Sequence, residues 1–162
     1  LHSFPTRRSS DLKYDICPGV SSFCGAAAAL RAEYTLPDVS QTVIITRMAG
    51  RTPVPEKESI AALAAHNATM VIFLSTGLLK ELSAELIRGG YKPDTPAAIV
   101  YKASWADQKV CRCTVEDLAQ TAADNGITKT ALICVGYFLG NDYSLSKLYD
   151  KSFETEFRKA EI

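Results

Sequence analysis

The feature that most constrains the fold of this chain is an alternation of short apolar segments with longer segments of helical patterning. The apolar segments are rich in valine and isoleucine, which favour strands, and the run TMVIFL is apolar throughout, as in a buried strand. Such alternation predicts an α/β protein in which helices cover a sheet. The predicted strands are 41–46, 69–74, 97–101, 109–113 and 130–136, and the predicted helices are 21–32, 58–66, 78–90 and 115–125.

Local signals mark the ends of the predicted helices. Ser21 or Ser22 can cap the first helix, because a hydroxyl at that position accepts a hydrogen bond from a free backbone N–H of the first turn. Thr114 stands in the same position before the last helix. Gly89 and Gly126 are expected to end the two later helices, because glycine readily adopts the left-handed conformation that closes a helix.

Two consecutive predicted strands, 97–101 and 109–113, have no helix between them. A short connection of this kind joins antiparallel strands, so we expect a hairpin and therefore a mixed sheet. A further short strand, YDIC at 14–17, is predicted before the turn formed by Pro18 and Gly19.

The charge and hydropathy of the chain argue against several classes of partner. The charges of the 18 basic and 18 acidic side chains cancel. Without residues 1–12, 16 basic and 17 acidic side chains remain. No basic stripe of the kind that binds nucleic acid is visible. The apolar run ATMVIFL is far too short to span a bilayer, and the start has no apolar signal. We therefore expect a cytoplasmic protein with neither a nucleic-acid nor a membrane partner.

The five cysteines are expected to be free thiols, because the sequence shows no secretory signal. Cys111 and Cys113 share one face if their segment is a strand, which raises a metal site as an alternative. Zinc sites need further ligands at close spacing, and His66 has no cysteine near it in sequence. We expect no metal.

Motifs that carry chemistry are scarce. The sequence contains no Walker loop, no glycine-rich dinucleotide fingerprint, no nucleophile elbow and no HExxH segment. Composition and periodicity alone therefore predict an α/β protein without assigning it an activity.

Two segments nevertheless resemble a known family. CPGVSSFCGAAAAL and LPDVSQTVIITR are similar to the central region of the tetrapyrrole methylases, which transfer methyl groups from S-adenosylmethionine to corrin and siroheme precursors. Within that family, the segment 39–75 resembles the precorrin-4 C(11)-methyltransferase branch, most specifically in RTPVPE and AAHNATMVIFLS. The resemblance extends over residues 13–150.

The resemblance implies a fold of two αβα domains with the cofactor in the cleft between them. On this template residues 13–36 are the end of the first domain, residues 37–150 are the second domain, and residues 151–162 are a polar tail. The glycine-rich loop of the family's first domain has no counterpart in this sequence. We therefore expect a fragment that is inactive alone.

The resemblance also implies five contacts with S-adenosylmethionine. They are Ser21 and Ser22 in PGVSS, Leu74 in VIFLS, Ala103 in YKASW and Thr130 in KTALI. Each position has an alternative explanation. The serines can simply cap a helix, Leu74 can belong to the core, Ala103 can relieve a tight turn, and Thr130 can begin a strand.

The implied activity is methylation of precorrin-4 or cobalt-precorrin-4 at carbon 11 in cobalamin biosynthesis. There are two alternatives. The chain could be part of a sibling methylase that acts at another ring carbon, or it could be a non-catalytic domain of the same fold. The tetrapyrrole substrate carries many carboxylates, so Arg47, Arg51 and Lys102 are candidate partners by location. No catalytic residue is assigned. The family also implies a homodimer when the protein is full length.

The first twelve residues, LHSFPTRRSSDL, resemble the translation of a widely used sequencing adapter. We therefore expect residues 1–12 to be non-native, and we do not interpret Arg7 and Arg8 as a phosphate-binding arm. A natural basic arm is the alternative, and resequencing of native DNA distinguishes the two.

Overall fold

The computed structural model describes residues 15–140 of the chain. The expectations for residues 1–12 and for the tail at 151–162 lie outside this range. The helices are α1 (Ser22–Leu30), α2 (Ile60–Ala64), α3 (Leu79–Gly89) and α4 (Leu118–Asp124). The strands are β1 (Val43–Arg47), β2 (Thr69–Phe73), β3 (Pro96–Tyr101), β4 (Lys109–Thr114) and β5 (Ala131–Val135). Short 3-10 helices cover Glu56–Glu58, Thr76–Leu78 and Tyr137–Leu139.

The five strands form one mixed sheet in the order β1-β2-β5-β3-β4. Strands β1 and β2 are parallel, whereas β5 lies antiparallel to both of its neighbours, β2 and β3. Strands β3 and β4 form the predicted antiparallel hairpin. The expectations of an α/β fold and of a mixed sheet are thus confirmed.

Each face of the sheet carries its own hydrophobic core, because successive side chains of a strand point to opposite faces. Met70 and Ile72 of β2 pack on the side covered by α2, α3 and α4. Val71 of β2 packs on the other side, which helix α1 covers with Ala26 and Leu30. All five residues of β5 are buried, as expected for a central strand between two helical layers.

Helix α3 packs closely on α2 at a glycine. A Cβ atom placed on Gly89 would lie 2.4 Å from the carbonyl oxygen of Ala61 and 2.5 Å from the Cβ of Ala64. Only glycine therefore lets the last turn of α3 approach α2 this closely. The contact fixes one end of the helical layer on the sheet.

Two local predictions are corrected, and one is confirmed with a change of detail. Of the predicted strand 14–17, residue 14 lies outside the described range, and residues 15–17 form no strand because none of the five strands pairs with them; Ile16 is 75% exposed. Gly89 ends α3 as predicted, but the positive φ of 126° that closes the helix belongs to Gly90. Thr114 ends β4 and its hydroxyl donates to the carboxylate of Asp117 at 2.7 Å, so α4 begins only at Leu118.

Other local signals hold. Gly126 follows the end of α4 with a φ of 67°, as predicted for a helix stop. None of the helices in the range 15–140 is long and apolar enough to cross a membrane.

Candidate functional site: a hollow at one end of the sheet

A hollow of about 240 Å³ lies at the edge of the sheet where β2 and β3 end and β5 begins. Because β5 runs antiparallel to β2 and β3, its first residue lies beside their last ones. Tyr101 at the end of β3 pairs with Ala131 at the start of β5. Side chains from three strands and from the start of α1 therefore meet at one place.

Four of the five predicted cofactor contacts line this hollow. They are Ser22, Leu74, Ala103 and Thr130, which are separated by up to 108 residues along the chain. Ser21 stands one residue before α1 and is exposed, but it does not line the hollow. The fold thus brings together four positions that the sequence singles out from separate segments.

The structure decides two of the alternative explanations. Leu74 is 85% exposed, so its assignment to the core is wrong. The carbonyl of Ser21 accepts a hydrogen bond from the N–H of Cys24 at 3.0 Å, but its hydroxyl makes no capping bond. Capping by the Ser21 side chain is therefore also wrong.

Helix α1 approaches the hollow with Gly25 beside Ala103. A Cβ placed on Gly25 would meet the Cβ of Ala103 at 3.6 Å, which is ordinary van der Waals contact. Ala103 thus lies where the turn after β3 faces α1, and a tight turn alone does not account for its position.

The backbone around the hollow is strained. Leu74, Lys102 and Thr130 have φ values of 54°, 46° and 57°, in the left-handed region that residues other than glycine seldom adopt. Each such residue costs on the order of 1–3 kcal/mol, and residues of this kind cluster at functional sites. Thr130 is the most unusual of the three because its side chain is β-branched.

Besides the four predicted contacts, the hollow is lined by Lys102, which the sequence singled out only as a candidate carboxylate partner, and by six residues that the sequence did not single out. Val100 and Leu132 are paired across β3 and β5 and form an apolar floor on the α1 side of the sheet. Thr76 donates its hydroxyl to the carbonyl of Ala131 at 3.3 Å. The sequence signal for Val100 and Leu132 is the alternation of side chains between the two faces of a strand, and it identifies the floor only when the pairing register of the strands is known. The six are Phe73, Thr76, Val100, Trp105, Ala131 and Leu132.

Among residues 15–140, Lys102 is the one charged residue that lines the hollow, and its charge is balanced by Asp107. Its ammonium lies 2.5 Å from the carboxylate of Asp107 and 5.1 Å from the ring centres of both Tyr101 and Trp105. The hydrogen bond to Asp107 raises the pKa of Lys102, and the same bond lowers the pKa of Asp107. The hollow therefore presents no unpaired cation to a positively charged ligand.

A second hollow of about 610 Å³ adjoins the first, since Leu74 lines both. Arg47 and Arg51 also line it. The guanidinium of Arg47 donates to the backbone carbonyls of Thr52 and Pro53 at 3.2 and 3.0 Å, so it holds the loop that follows β1. Arg51 is exposed within that loop.

Metal ligands do not converge in the described part of the chain. No group of three or more His, Cys, Asp and Glu side chains within residues 15–140 is arranged to hold an ion. Cys111 and Cys113 share one face of β4 and pack against the core beneath α2, α3 and α4. Burial raises the pKa of the Cys113 thiol to about 11, which disfavours the thiolate that a metal requires.

The mixed sheet with helices on both faces and a hollow at one end define an α/β architecture. The family model described as Tetrapyrrole (Corrin/Porphyrin) Methylases matches residues 1–119. The chain belongs to this family, and the resemblance read from its sequence is confirmed.

The curated relatives place the chain near one branch of the family. It is 54% identical over 147 residues to the cobalt-precorrin-4 C(11)-methyltransferase of Methanocaldococcus jannaschii, covering 90% of this chain and 57% of that protein. It is 50% identical over 150 residues to the protein of the same name from Priestia megaterium, covering 90% and 58%. The chain thus spans a little more than half the length of these relatives.

Solved structures agree with this placement. The X-ray structure of a cobalt precorrin-4 methyltransferase, a cobalamin biosynthetic enzyme, is similar with a TM-score of 0.76 and 50% identity, covering 78% of this chain and 53% of that one. A uroporphyrin-III C-methyltransferase of Thermus thermophilus, solved with S-adenosyl homocysteine, gives a TM-score of 0.60 at 18% identity, covering 81% and 54%. At that identity the likeness concerns the fold alone.

Proposed function

We propose that this chain is part of an S-adenosylmethionine-dependent methyltransferase that methylates carbon 11 of precorrin-4 or cobalt-precorrin-4 in cobalamin biosynthesis. The observation that carries the proposal is the identity of 54% over 147 residues to a relative with this named activity. The convergence of Ser22, Leu74, Ala103 and Thr130 on one hollow supports it. The relative that acts on uroporphyrinogen III in Bacillus subtilis is only 27% identical, which disfavours that substrate.

The hollow suits the adenosyl part of the methyl donor. Val100 and Leu132 offer an apolar floor, while Ser22, Thr76 and Thr130 supply hydroxyls at the rim. Complete small-molecule sites usually measure roughly 300–1,000 Å³, so a hollow of about 240 Å³ holds part of the ligand. The cleft of a second domain, as in the two-domain template, would cover the rest.

The balanced charge at the rim fits a cationic ligand. When bound, S-adenosylmethionine supplies a methyl group that its sulfonium charge has already activated. An unpaired lysine beside it would repel that charge, but Lys102 is neutralised by Asp107 at 2.5 Å. The chain therefore contributes position and exclusion of water rather than a charged catalyst.

The adjoining hollow provides a place for the tetrapyrrole carboxylates. Arg51 is exposed there and separated from the first hollow by Leu74, whereas Arg47 is committed to backbone carbonyls. Arginine binds carboxylates in a planar, two-pronged manner. Holding a ring carbon in line with the methyl group can lower the barrier by about 7–11 kcal/mol.

The wider properties of the protein complete the proposal. We assign residues 13–36 to the end of the first domain and residues 37–150 to the second, with α1 at their junction. The complete enzyme is a cytoplasmic homodimer that binds no nucleic acid. Light scattering of the chimera described below tests the dimer.

A chimera tests the activity. The part of the M. jannaschii relative that precedes the matched region is joined to residues 13–162 of this chain. With S-adenosylmethionine and cobalt-precorrin-4, the product should gain one methyl group, and NMR should place it at carbon 11. Two results would refute the proposal. One is methylation of uroporphyrinogen III instead, and the other is a failure to methylate carbon 11 of either precorrin-4 or cobalt-precorrin-4.

A pair of variants ties the activity to the hollow. Ala103→Phe fills the hollow and should abolish methyl transfer in the chimera. Ala106→Phe adds the same ring at an exposed position of the same turn that does not line the hollow, and it should leave the rate unchanged. Equal rates in the two variants would show that the hollow is not the donor site.

A further inference from the structure

Trp105 stands out at the rim of the first hollow. It is the only tryptophan of the chain, its side chain is 60% exposed, and it lines the hollow. Tryptophan is highly buried on average because its large ring gains from leaving water. An exposed indole at the mouth of the hollow therefore presents apolar surface that a ligand can cover.

Hydrogen bonds order the turn that carries Trp105. The backbone N–H of Trp105 donates to the carbonyl of Lys102 at 3.0 Å, and the carbonyl of Trp105 accepts from the backbone N–H of Gln108 at 3.1 Å. The amide side chain of Gln108 accepts from the N–H of Ser104 at 2.7 Å. These bonds define a compact turn between β3 and β4.

The ring of Trp105 also has a charged neighbour. The ammonium of Lys102 lies 5.1 Å from the indole centre, within the range of a cation–π contact. Asp107 holds that ammonium at 2.5 Å. The backbone N–H of Lys102 donates to the carbonyl of Thr130 at 3.0 Å, which ties the turn to the residue that precedes β5. The turn that carries Trp105 is thus held beside Thr130 at the hollow.

We propose that Trp105 stacks on the adenine ring of the methyl donor, with Lys102 and Asp107 as positioning residues for the indole. This inference rests on the proposed function, because it assigns a contact within the same donor site. A flat purine matches an exposed indole, and stacking of a base on an aromatic side chain is worth roughly tenfold to a hundredfold in affinity. The apolar floor at Val100 and Leu132 meets the other side of the hollow.

The single tryptophan makes a direct test available. S-adenosylhomocysteine and 5′-methylthioadenosine, which both contain adenine, should change the tryptophan fluorescence of the 162-residue chain, whereas homocysteine should not. Calorimetry measures binding in parallel. Trp105→Leu should weaken binding of S-adenosylhomocysteine about tenfold or more, and Trp105→Phe, which keeps a ring, should retain most of the affinity.

Controls separate this inference from the proposed function. Tyr137→Leu removes another exposed aromatic side chain that does not line the hollow, so it should bind as the unaltered chain does. Far-UV circular dichroism verifies the fold of each variant. Calorimetric binding with unchanged fluorescence and equal affinity of Trp105→Leu would overturn the stacking while the donor site stands. Absence of binding in both the chain and the chimera would overturn the proposed function itself.

Discussion

The contact between α2 and α3 makes Gly89 the most sensitive small residue of the helical layer. In Gly89→Ala, the new Cβ would lie 2.4 Å from the carbonyl oxygen and 2.8 Å from the Cα of Ala61, and 2.5 Å from the Cβ of Ala64. These atoms belong to the backbone or to its nearest carbon, so no flexible side chain can move aside. Restoring ordinary contact at 3.4 Å requires the helices to separate by about 1 Å.

That separation disturbs the core on one side of the sheet. Ile60 and Ala64 of α2 are buried against the same cluster as Leu82 and Leu86 of α3. Forcing extra volume into such a core costs typically 1–3 kcal/mol, and the rigid contacts place Gly89→Ala at about 2–3 kcal/mol. The better helix propensity of alanine, at most about 1 kcal/mol, acts in the opposite direction and is smaller at a helix end.

Urea unfolding followed by far-UV circular dichroism measures the effect. With a slope of roughly 1–3 kcal/mol per molar urea, the midpoint should fall by about 0.7–3 M. Gly77→Ala is the matched control, because a Cβ there meets nothing within 4 Å and its φ is not positive. That variant should change stability by no more than about 0.5 kcal/mol. If the Gly89→Ala variant were as stable as the unaltered chain, the close packing of α3 on α2 would be refuted.

Three further predictions follow from charges and thiols. Because Lys102 lowers the pKa of Asp107, their ion pair adds stability above the ordinary carboxyl pKa of about 3.9 and loses it as the pH falls through the lowered value. Trp105 fluorescence should therefore shift only in acid, before circular dichroism changes, and Asp107→Asn should remove this shift. Burial raises the pKa of Cys134 to about 11, so iodoacetamide at pH 8 should modify the exposed Cys24 but leave Cys134 untouched until urea unfolds the chain, and equal rates by mass spectrometry would contradict the burial. In the chimera, Arg51→Gln should raise KM for cobalt-precorrin-4 roughly tenfold or more with little change in donor affinity, whereas the surface variant Arg88→Gln on α3 should alter neither.

Much of the site was predictable because the family pattern marks positions one residue at a time. Ser22, Leu74, Ala103 and Thr130 were singled out in this way, and the structure gathers all four around one hollow. Trp105 was not singled out from the sequence, since nothing local distinguishes an exposed turn tryptophan from one that lines a hollow. Its place depends on the turn bonds to Lys102 and on the proximity of β5.

The sequence by itself determined the elements. Continuous apolar runs specified β2 and β5, helical spacing specified α3, and the short connection between β3 and β4 specified the hairpin. These features arise from interactions between residues close in the chain, so local patterns record them.

Only the tertiary structure decided how the elements meet. The first four residues of β2, 69–72, are buried on both faces of the sheet. Their composition therefore does not reveal which strands flank β2 or which side chain becomes exposed where the strand ends. The insertion of β5 between β2 and β3 determines which strand flanks β2 and which side chain is exposed at its end. The pairing of β2 with β5 joins residues about 60 positions apart through backbone hydrogen bonds common to all sequences. It decides between the two explanations of Leu74, because it leaves this residue exposed between two hollows and not in the core.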